Sequence, residues 1–416
     1  MIAGADALRI GGRAPRRVVE PNDAAETAAA LAAAGAAGEC VVVHGGGTLQ
    51  QSANPPERYD VALLTSRLDE VAAYEPRDLT IGAGAGMTLA ALRRMLAQHR
   101  QMLPLDAPLP QRATIGGTLA AGWAGPRRMA YGRSRDLLIG ATVALVDGTL
   151  ATTGGMVVKN VTGYDLGKLY IGSHGTLGVL VRANFKLLPA PPAHRLAVST
   201  FDAELRERVI AHASNVAVAP TALLVRDGFG ALRDAQHPEE IDFRPQIVAL
   251  FEGSETTVDR AVREYRSALG AAGIAETRIA SDAAGEAAFQ AIVDDYVAPA
   301  GDRSLTLLAR GLPADAPARA QRARSAVEID VETVTDLLTG DVVARLRAPR
   351  SLDAETLAAF GEAVRAALGR AQVLAAHDVA IDAWGGTPGT IETMRALKAQ
   401  FDPAGTLAPG RFVGGI

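Results

Sequence analysis

The chain contains few of the residues that build disulfide-linked or metal-centred scaffolds. Among its 416 residues there is one cysteine, Cys40, and its seven histidines are scattered. One cysteine cannot form a disulfide within the chain, and no group of residues has the spacing of a zinc or iron–sulfur site. We therefore expect no metal and a reducing compartment. Cys40 lies beside three valines and is predicted to be a small buried residue of a strand.

Long apolar runs and an excess of basic residues are also absent. No stretch approaches the ~20 apolar residues that a membrane-spanning helix needs. The N-terminus lacks the basic segment and apolar run of a signal peptide. The net charge is -4, so no general positive field exists for nucleic acid or an anionic membrane. These absences predict a cytoplasmic protein without a membrane span and without a nucleic-acid partner.

Glycine, in contrast, is abundant: the whole chain has 43, and they are denser in the first 190 positions than in the rest. A stiff proline cluster at residues 189–192 follows, and the glycine-rich composition ends there. Because such a segment cannot pair within a sheet, it suits a domain boundary. The tail is again punctuated by glycine and proline. We therefore predict domains at 1–190 and 191–390, with residues 391–416 returning to the first domain.

Local signals predict several elements of this first domain. A helix is predicted over residues 20–38, with either Asn22 or Asp23 as its N-cap. A second helix is predicted over residues 87–99, capped by Thr88. Asp147-Gly148 predicts a hairpin.

Four glycine-rich segments, here called corners, stand out in the first domain. The first, second, third and fourth corners are residues 45–48, 113–122, 159–166 and 172–178. Consecutive glycines permit positive φ, and their N–H groups can converge on an anion. The second corner opens a short helix whose N-terminus is predicted to face phosphate. A tight structural turn remains an alternative for any single corner, but four together favour a large polar ligand.

The common signatures of other cofactor and catalytic sites are incomplete. Residues 82–87 imitate the dinucleotide fingerprint, but Met87 stands where the third glycine is required. The Walker pattern and the nucleophile elbow are absent.

The order of the motifs between Met102 and Leu180 resembles the FAD-binding lobe of the PCMH-type, or vanillyl-alcohol-oxidase, flavoproteins. The resemblance rests on residues 102–106, 113–117, 125–128, 135–136, 159–166 and 172–180. Residues 124–128, 158–165 and the tail 401–411 look most like one branch of that family, the FAD-binding subunits of glycolate oxidase. The resemblance covers roughly residues 20–190 and the tail. It implies an α+β fold, in which a two-subdomain FAD-binding lobe is followed by an α/β cap lobe with an antiparallel sheet.

The resemblance also implies FAD as the cofactor and a set of residues around it. The implied contacts are His44, Gly45, Gly46, Gly47, Thr48, Pro104, Asp106, Thr114, Gly116, Gly117, Arg135, Asp136, Asn160, Gly163, Tyr164, Asp165, Gly178 and Arg411. Some relatives attach the flavin to a histidine at the position of Thr48, so a non-covalent flavin is expected here. No lysine or arginine lies in the first corner, which leaves backbone N–H groups to bind the pyrophosphate there.

Three functional hypotheses follow from the resemblance. The first is an FAD-binding subunit of a glycolate-type 2-hydroxy-acid dehydrogenase complex, with a second flavoprotein and an iron–sulfur subunit as partners. The second is a stand-alone FAD oxidoreductase of another hydroxy acid or alcohol, and the third is a non-catalytic flavin-binding scaffold. The histidine-rich metal motif of the catalytic subunit is absent, and Thr387 replaces a histidine that usually follows the glycine pair 385–386. Both departures weigh against a direct transfer of substrate chemistry.

Candidate catalytic residues lie mainly in the second domain. Arg345 and Arg347 alternate as on one strand face, so they could bind a substrate carboxylate or form a salt-bridged face. His377-Asp378 could be a base with its orienting carboxylate, although neighbours in a strand point to opposite faces. The pair at 127–128 could dock an acidic partner or lie in a solvated turn.

Overall fold

The computed structural model describes residues 4–157, 165–229, 243–299 and 303–416. The chain forms two compact units. Unit 1 consists of Met1–Ala124, Gly132–Ala190 and Asp382–Ile416, and unit 2 of Gly125–Tyr131 and Pro191–Ile381. This division differs from the predicted domains in two details: a short segment, Gly125–Tyr131, belongs to unit 2, and the return to unit 1 begins at Asp382.

Unit 1 contains three sheets within the described residues. A parallel sheet has the order β1-β3-β2, an antiparallel sheet the order β4-β5-β9-β7-β8, and β10 pairs with β6. The strands are β1 Arg17–Val19, β2 Val41–His44, β3 Val61–Leu64, β4 Val71–Glu75, β5 Thr80–Gly84, β6 Gln101–Met102, β7 Leu138–Ala144, β8 Leu150–Gly154, β9 Val179–Lys186 and β10 Leu188–Pro189.

The helices of this unit are α1 Ala24–Ala36, α2 Leu89–Ala97, α3 Ile115–Ala120, α5 Ser134–Leu137 and, in the tail, α11 Ile391–Phe401, while α4 Arg128–Tyr131 belongs to unit 2. Three of them, α1, α2 and α3, begin at residues whose side chains accept from free backbone N–H groups. Asp23 caps α1 by accepting from Glu26 N at 2.8 Å, which decides between the two predicted caps. Thr88 caps α2 as predicted.

Helix α1 joins the two larger sheets of unit 1 through its buried face. Leu31 and Ala34 pack with Val41 of the parallel sheet and with Val179 and Val181 of the antiparallel sheet. Burial of this apolar surface is the main term that holds the unit together. Cys40, at the start of β2, is buried as predicted.

Unit 2 is built on one antiparallel sheet of eight strands within the described residues, in the order β14-β11-β13-β12-β16-β17-β15-β18. The strands are β11 Ala193–Thr200, β12 Ala222–Asp227, β13 Gln246–Gly253, β14 Arg278–Ser281, β15 Ser304–Ala309, β16 Val331–Asp336, β17 Val342–Arg347 and β18 Ala371–His377. The remaining helices are α6 Arg206–Ser214, α7 Glu255–Ala271, α8 Asp282–Asp294, α9 Ala316–Arg324 and α10 Ala354–Leu368. The predicted α+β class, with a sheet-based second lobe, is confirmed.

The sheet of unit 2 buries one face under helices. Val209 of α6 and Tyr265 of α7 pack on Leu223, Val225 and Phe251 of the strands. None of the helices that the structure describes is long and apolar enough to cross a bilayer.

Candidate functional site

Three of the four glycine corners line one cavity in unit 1. Its wall comprises Val43, Gly45, Gly46, Gly47, Thr48, Leu49, Gln50, Thr65, Thr114, Gly116, Gly117, Ala120, Ala121, Ser173, His174, Gly175, Gly178, Val179, Leu180 and Arg411. The space between these atoms amounts to about 780 Å³, including solvent at the mouth. The lining, drawn from three glycine corners and the tail, is more extensive than the ligand set of a single ion.

The first corner presents its amides to this cavity. Strand β2 ends at His44, and the chain then turns through Gly47, whose φ is 71°. Within the part of the chain that the structure describes, the N–H groups of Gly45, Gly46 and Gly47 donate to no protein acceptor. Such a run of free amides is an anion-binding arrangement.

The reason for glycine at position 46 differs from the expected one. A Cβ there would lie 1.7 Å from the carbonyl oxygen of Arg112, so this side of the turn is packed against protein backbone and not against the cavity. Gly45 is similarly restricted, because its Cβ would lie 2.3 Å from Thr114 Oγ1. The first and second corners therefore support each other, while the opposite side of the first corner stays open to a ligand.

The second corner does not direct its helix N-terminus at a ligand, contrary to the prediction. Ile115 N donates to Met87 O at 3.0 Å and Gly116 N to Ala85 O at 2.7 Å. Gly117 N donates to Thr114 Oγ1 at 3.1 Å. The first amides of α3 are thus occupied by protein acceptors, and the corner contributes a smooth wall rather than an anion site.

The fourth corner is tied to the same helix and to the tail. Gly172 N and His174 N donate to the carbonyls of Leu119 and Ala120 at 2.9 and 2.8 Å. The His174 ring packs edge-on against Trp384, with 5.0 Å between ring centroids. The cavity therefore combines backbone from three segments that are distant in sequence.

Arg411 brings a positive charge to the cavity. It is 2% exposed, and its guanidinium donates to Gln50 O at 2.7 Å and Asn54 O at 3.1 Å. Among the described residues no carboxylate forms a salt bridge with it, and burial lowers its pKa to about 10, so it remains charged at neutral pH. A buried cation without a counter-ion, next to free amides, favours an anionic ligand. Whether backbone groups alone bind the pyrophosphate at the first corner stays a prediction.

His44, predicted to contact the cofactor, is directed elsewhere. Its ring stacks on Tyr59, its Nε2 hydrogen-bonds the Tyr59 hydroxyl, and it does not line the cavity. Tyr59 in turn donates to Leu8 O at 3.1 Å. Burial lowers the pKa of His44 to about 4, so its imidazole is neutral at physiological pH. Thr48, the position on which the expectation of a non-covalent flavin rests, lines the cavity.

Several other predicted contacts do not reach this cavity. Pro104 and Asp106 are buried outside its lining, and the carbonyl of Asp106 accepts from Trp123 Nε1. Arg135, Asp136 and Asp165 are exposed. Asp136 accepts from Arg133 N at 2.9 Å in the cap of α5, and Asp165 pairs with Lys168. Asn160, Gly163 and Tyr164 lie outside the described residues. For all of these residues, contact with the cofactor stays a prediction.

The candidate catalytic residues of unit 2 are engaged with neighbours. Arg345 and Arg347 both form salt bridges with Glu332, the second at 3.1 Å. Of the two alternatives given for these arginines, the structure shows the salt-bridged strand face. Asp378 pairs with Arg303 at 2.8 Å and not with His377, so the proposed base and orienting carboxylate are not brought together. Burial lowers the pKa of His377, which keeps its ring neutral.

Arg127 belongs to a buried charge cluster that no motif of the sequence indicates. Its guanidinium donates to Glu252 at 2.9 Å and to Glu286, and it lies 4.5 Å from the ring centroid of Phe289. The neighbouring Arg128 donates to Asp341 at 2.8 Å. Neither arginine lies in a solvated turn or is left to dock a separate partner.

The same cluster contains three side chains of types that bind metals. His194 Nδ1 lies 3.2 Å from Glu252 Oε1, and potential ligand atoms of His194, Glu252 and Glu286 lie within 4.8 Å of one another. The guanidinium of Arg127 already bridges the two carboxylates and supplies the positive charge. Sequence reasoning missed this cluster because its members are spread over 159 positions.

Comparison with known proteins identifies the cofactor class. The sequence family described as FAD binding domain matches residues 15–154, and that described as FAD linked oxidases, C-terminal domain, matches residues 385–412. Both descriptions name FAD, and the matches include the first and second corners and Arg411. The predicted resemblance to FAD-binding flavoproteins and the predicted cofactor are therefore confirmed.

Solved structures agree on the fold of this flavoprotein. The 4-ethylphenol oxidase from Gulosibacter chungangensis and a p-cresol methylhydroxylase each superpose with a TM-score of 0.69 at 16% identity, covering 95% of this chain and 88% of theirs. An alkyldihydroxyacetonephosphate synthase superposes with a TM-score of 0.68 at 16% identity, covering 96% of this chain and 77% of its own. At this identity the likeness concerns the fold alone.

Curated relatives match shorter regions of the flavoprotein. Glycolate oxidase subunit GlcE of Escherichia coli is 43% identical over 121 residues, which are 29% of this chain and 35% of the relative. Glycolate oxidase subunit GlcD of Bacillus subtilis is 29% identical over 188 residues, or 45% and 40%. D-lactate dehydrogenase of Archaeoglobus fulgidus is 33% identical over 172 residues, or 41% and 38%. The chain thus spans well under half the length of these relatives.

Proposed function

We propose that this flavoprotein is the FAD-binding subunit of a glycolate-type 2-hydroxy-acid dehydrogenase complex, with a non-covalent flavin. The observation that carries the proposal is the 43% identity with a protein named as a glycolate oxidase subunit. It gains support from the cavity, where free amides and the buried charge of Arg411 converge. Electrons from hydroxy-acid oxidation would pass through the flavin of this chain.

The residues of the cavity fit a dinucleotide. The amides of Gly45, Gly46 and Gly47 would donate to the pyrophosphate, and Arg411 would supply its counter-charge. Thr48 offers a hydroxyl but no imidazole, which supports a flavin held without a covalent bond. Bound FAD supplies the two-electron chemistry, while the chain contributes binding, orientation and backbone dipoles.

A first experiment tests the attachment of the cofactor. The purified yellow protein is precipitated with acid, and flavin is measured in the supernatant and the pellet. We expect all of the flavin in the supernatant. Flavin that stays in the pellet would contradict the role assigned to Thr48.

The proposed partners are a second flavoprotein and an iron–sulfur subunit, and the proposed substrate is a small hydroxy acid in the cytoplasm. Support comes from two relatives named as subunits of glycolate oxidase. The test is affinity purification of the tagged chain from its native host, followed by mass spectrometry and metal analysis. We expect two further chains and bound iron. A chain that purifies alone and oxidises glycolate unaided would overturn the proposal.

A second candidate is a stand-alone FAD oxidoreductase of another hydroxy acid. It is favoured by relatives named D-lactate dehydrogenase and D-2-hydroxyglutarate dehydrogenase, which are 33% and 31% identical over 172 and 191 residues. Turnover by the isolated chain with an artificial acceptor, tested with glycolate, D-lactate and D-2-hydroxyglutarate, separates it from the subunit hypothesis. A flavin that no substrate bleaches, in a chain needed for assembly, would instead indicate a scaffold.

A further inference from the structure

Lys398, near the end of α11, places a charged ammonium group in a largely buried position. Its side chain is 12% exposed, whereas lysine side chains are rarely buried without partners. Nζ donates to Thr176 O at 3.0 Å, Leu407 O at 2.7 Å and Asp402 Oδ2 at 2.6 Å. An ammonium has three donors, and here each one has its own acceptor.

Asp402 is equally well satisfied on the opposite side of the pair. Its carboxylate is fully buried, Oδ1 accepts from Thr406 N at 2.9 Å, and Oδ2 accepts from Leu407 N at 2.7 Å. Burial lowers the pKa of Lys398, and the hydrogen bond and charge of Asp402 act in the opposite direction. We call these two side chains and their acceptors the tail node.

The tail node connects the segments that form the cavity. Thr176 lies within the fourth corner, between residues that line the cavity. Leu407 lies beside Val41 of β2, where Val41 N donates to Thr406 O at 2.7 Å and Ala408 N donates to Val41 O at 2.9 Å. Strand β2 leads directly into the first corner.

The node also fixes the start of the segment that carries the cavity's buried cation. Arg411 follows Leu407 by four residues and is held by Gln50 O and Asn54 O. The ammonium of Lys398 therefore joins the fourth corner to the tail, which is paired with β2 and supplies Arg411. Apolar residues could fill the same space, but they would not hold the carbonyls of two segments, the fourth corner and the tail, at one ammonium group.

We propose that Lys398 is a positioning residue for the cofactor, which sets the spacing of the first corner, the fourth corner and Arg411 without touching FAD. The proposal rests on the assignment of the cavity to FAD. It makes cofactor affinity depend on a buried ammonium outside the cavity wall. A purely structural role would instead affect the stability of the whole unit and leave affinity unchanged.

The test is Lys398→Met, which keeps the chain length and removes the charge and all three donors. The flavin is removed, folding of the apo chain is checked by circular dichroism, and FAD is titrated by the quenching of its fluorescence. We expect the Kd for FAD to rise on the order of tenfold or more, because a displacement of the corners and Arg411 weakens several cofactor contacts together. FAD should also raise the melting temperature of the variant less than that of the unaltered chain.

Arg395→Met is the matched control, because Arg395 lies on the same helix with a side chain 52% exposed in an ion pair with Glu392. Its Kd should stay within about twofold of the unaltered chain. Should Lys398→Met fail to fold, Asp402→Asn, which keeps an acceptor oxygen, tests the node more gently and should also weaken FAD binding.

A folded Lys398→Met or Asp402→Asn variant with unchanged Kd would overturn the proposal, even if both melt earlier. An unaltered chain that takes up no FAD at all would refute the cofactor assignment itself. The two failures are therefore distinguishable in one titration series.

Discussion

Replacing Arg411 by methionine tests whether its charge contributes more to FAD binding than to the stability of the fold. Methionine matches the unbranched part of the arginine side chain, so the packing of that part is kept while the guanidinium and its charge are lost. The two carbonyls that Arg411 binds, Gln50 O and Asn54 O, lose their donor. Because no carboxylate pairs with Arg411 among the described residues, no buried anion is left behind.

The expected effect on the FAD-free protein is small, because two terms oppose each other. The fall in the pKa of Arg411 to about 10 corresponds to about 3 kcal/mol of disfavoured charge, which the variant relieves. Loss of two hydrogen bonds from a charged donor costs roughly 1.5–3 kcal/mol each. The net change in unfolding free energy should therefore be at most ~3 kcal/mol and destabilising.

The effect on FAD binding has no such compensation. A charge-assisted contact with a pyrophosphate is worth roughly 1.5–3 kcal/mol, so the Kd should rise roughly 10- to 150-fold. Fluorescence titration of the FAD-free protein measures the Kd, and thermal melts with and without FAD measure stability. Arg182→Met is a suitable control, since Arg182 forms a half-exposed pair with Glu70 at 3.0 Å in the same unit. An Arg411→Met variant that binds FAD as tightly as the control would refute the anion-site argument.

Three further predictions concern the fold around the site. Gly46→Ala should prevent folding even without FAD, because its Cβ would lie 1.7 Å from Arg112 O. Gly155→Ala is the control, because its Cβ meets no atom within 4 Å and its melting temperature should be unchanged. Equal melting temperatures of the two variants by circular dichroism would contradict this prediction. Arg127→Met removes the arginine that pairs with the buried carboxylate of Glu252. The free energy of unfolding, measured with urea, should fall by about 3–5 kcal/mol. A fall of less than ~1 kcal/mol would contradict this prediction. His44 has a pKa of about 4 in the folded state and 6.5 in the unfolded state, so the unfolded state binds more protons between these two pH values. The free energy of unfolding should therefore be highest above pH 6.5 and fall by up to about 3 kcal/mol toward pH 4. His44→Gln should flatten that slope in unfolding curves measured across this pH range.

The features best predicted from sequence are those that depend on a few neighbouring residues. The sequence indicates Thr88 as one cap and either Asn22 or Asp23 as another, because an N-cap side chain bonds an amide only two or three residues away. The hairpin at Asp147-Gly148 formed as expected, with Asp147 Oδ1 accepting from Thr149 N and Gly148 at φ 86°. Local chemistry of this kind is fully visible in the sequence.

Features that depend on distant partners were not predictable in the same way. Arg127 and Glu252 are separated by 125 positions, and nothing in either neighbourhood indicates that they meet. Lys398 resembles any lysine of an amphipathic helix until the fold brings Thr176 to it across 222 positions. Resemblance implied a role for Arg411 at the cofactor, but its burial without a counter-ion could be learned only from the structure.

The glycines of the site show that a motif can be located correctly from the sequence while the atom that requires each glycine is not identified. A glycine pattern records where another atom comes close to the backbone, but it does not record which atom. At Gly46 and Gly116 the close neighbours are Arg112 O and Ala85, at 1.7 and 2.9 Å from a Cβ, so protein and not phosphate excludes a side chain. The amides of the first corner have no acceptor among the described residues, although the turn is packed closely against Arg112. The shape of the cavity wall therefore depends on backbone contacts within the chain, and its positive charge comes from Arg411, more than 350 positions from Asn54, which accepts from it.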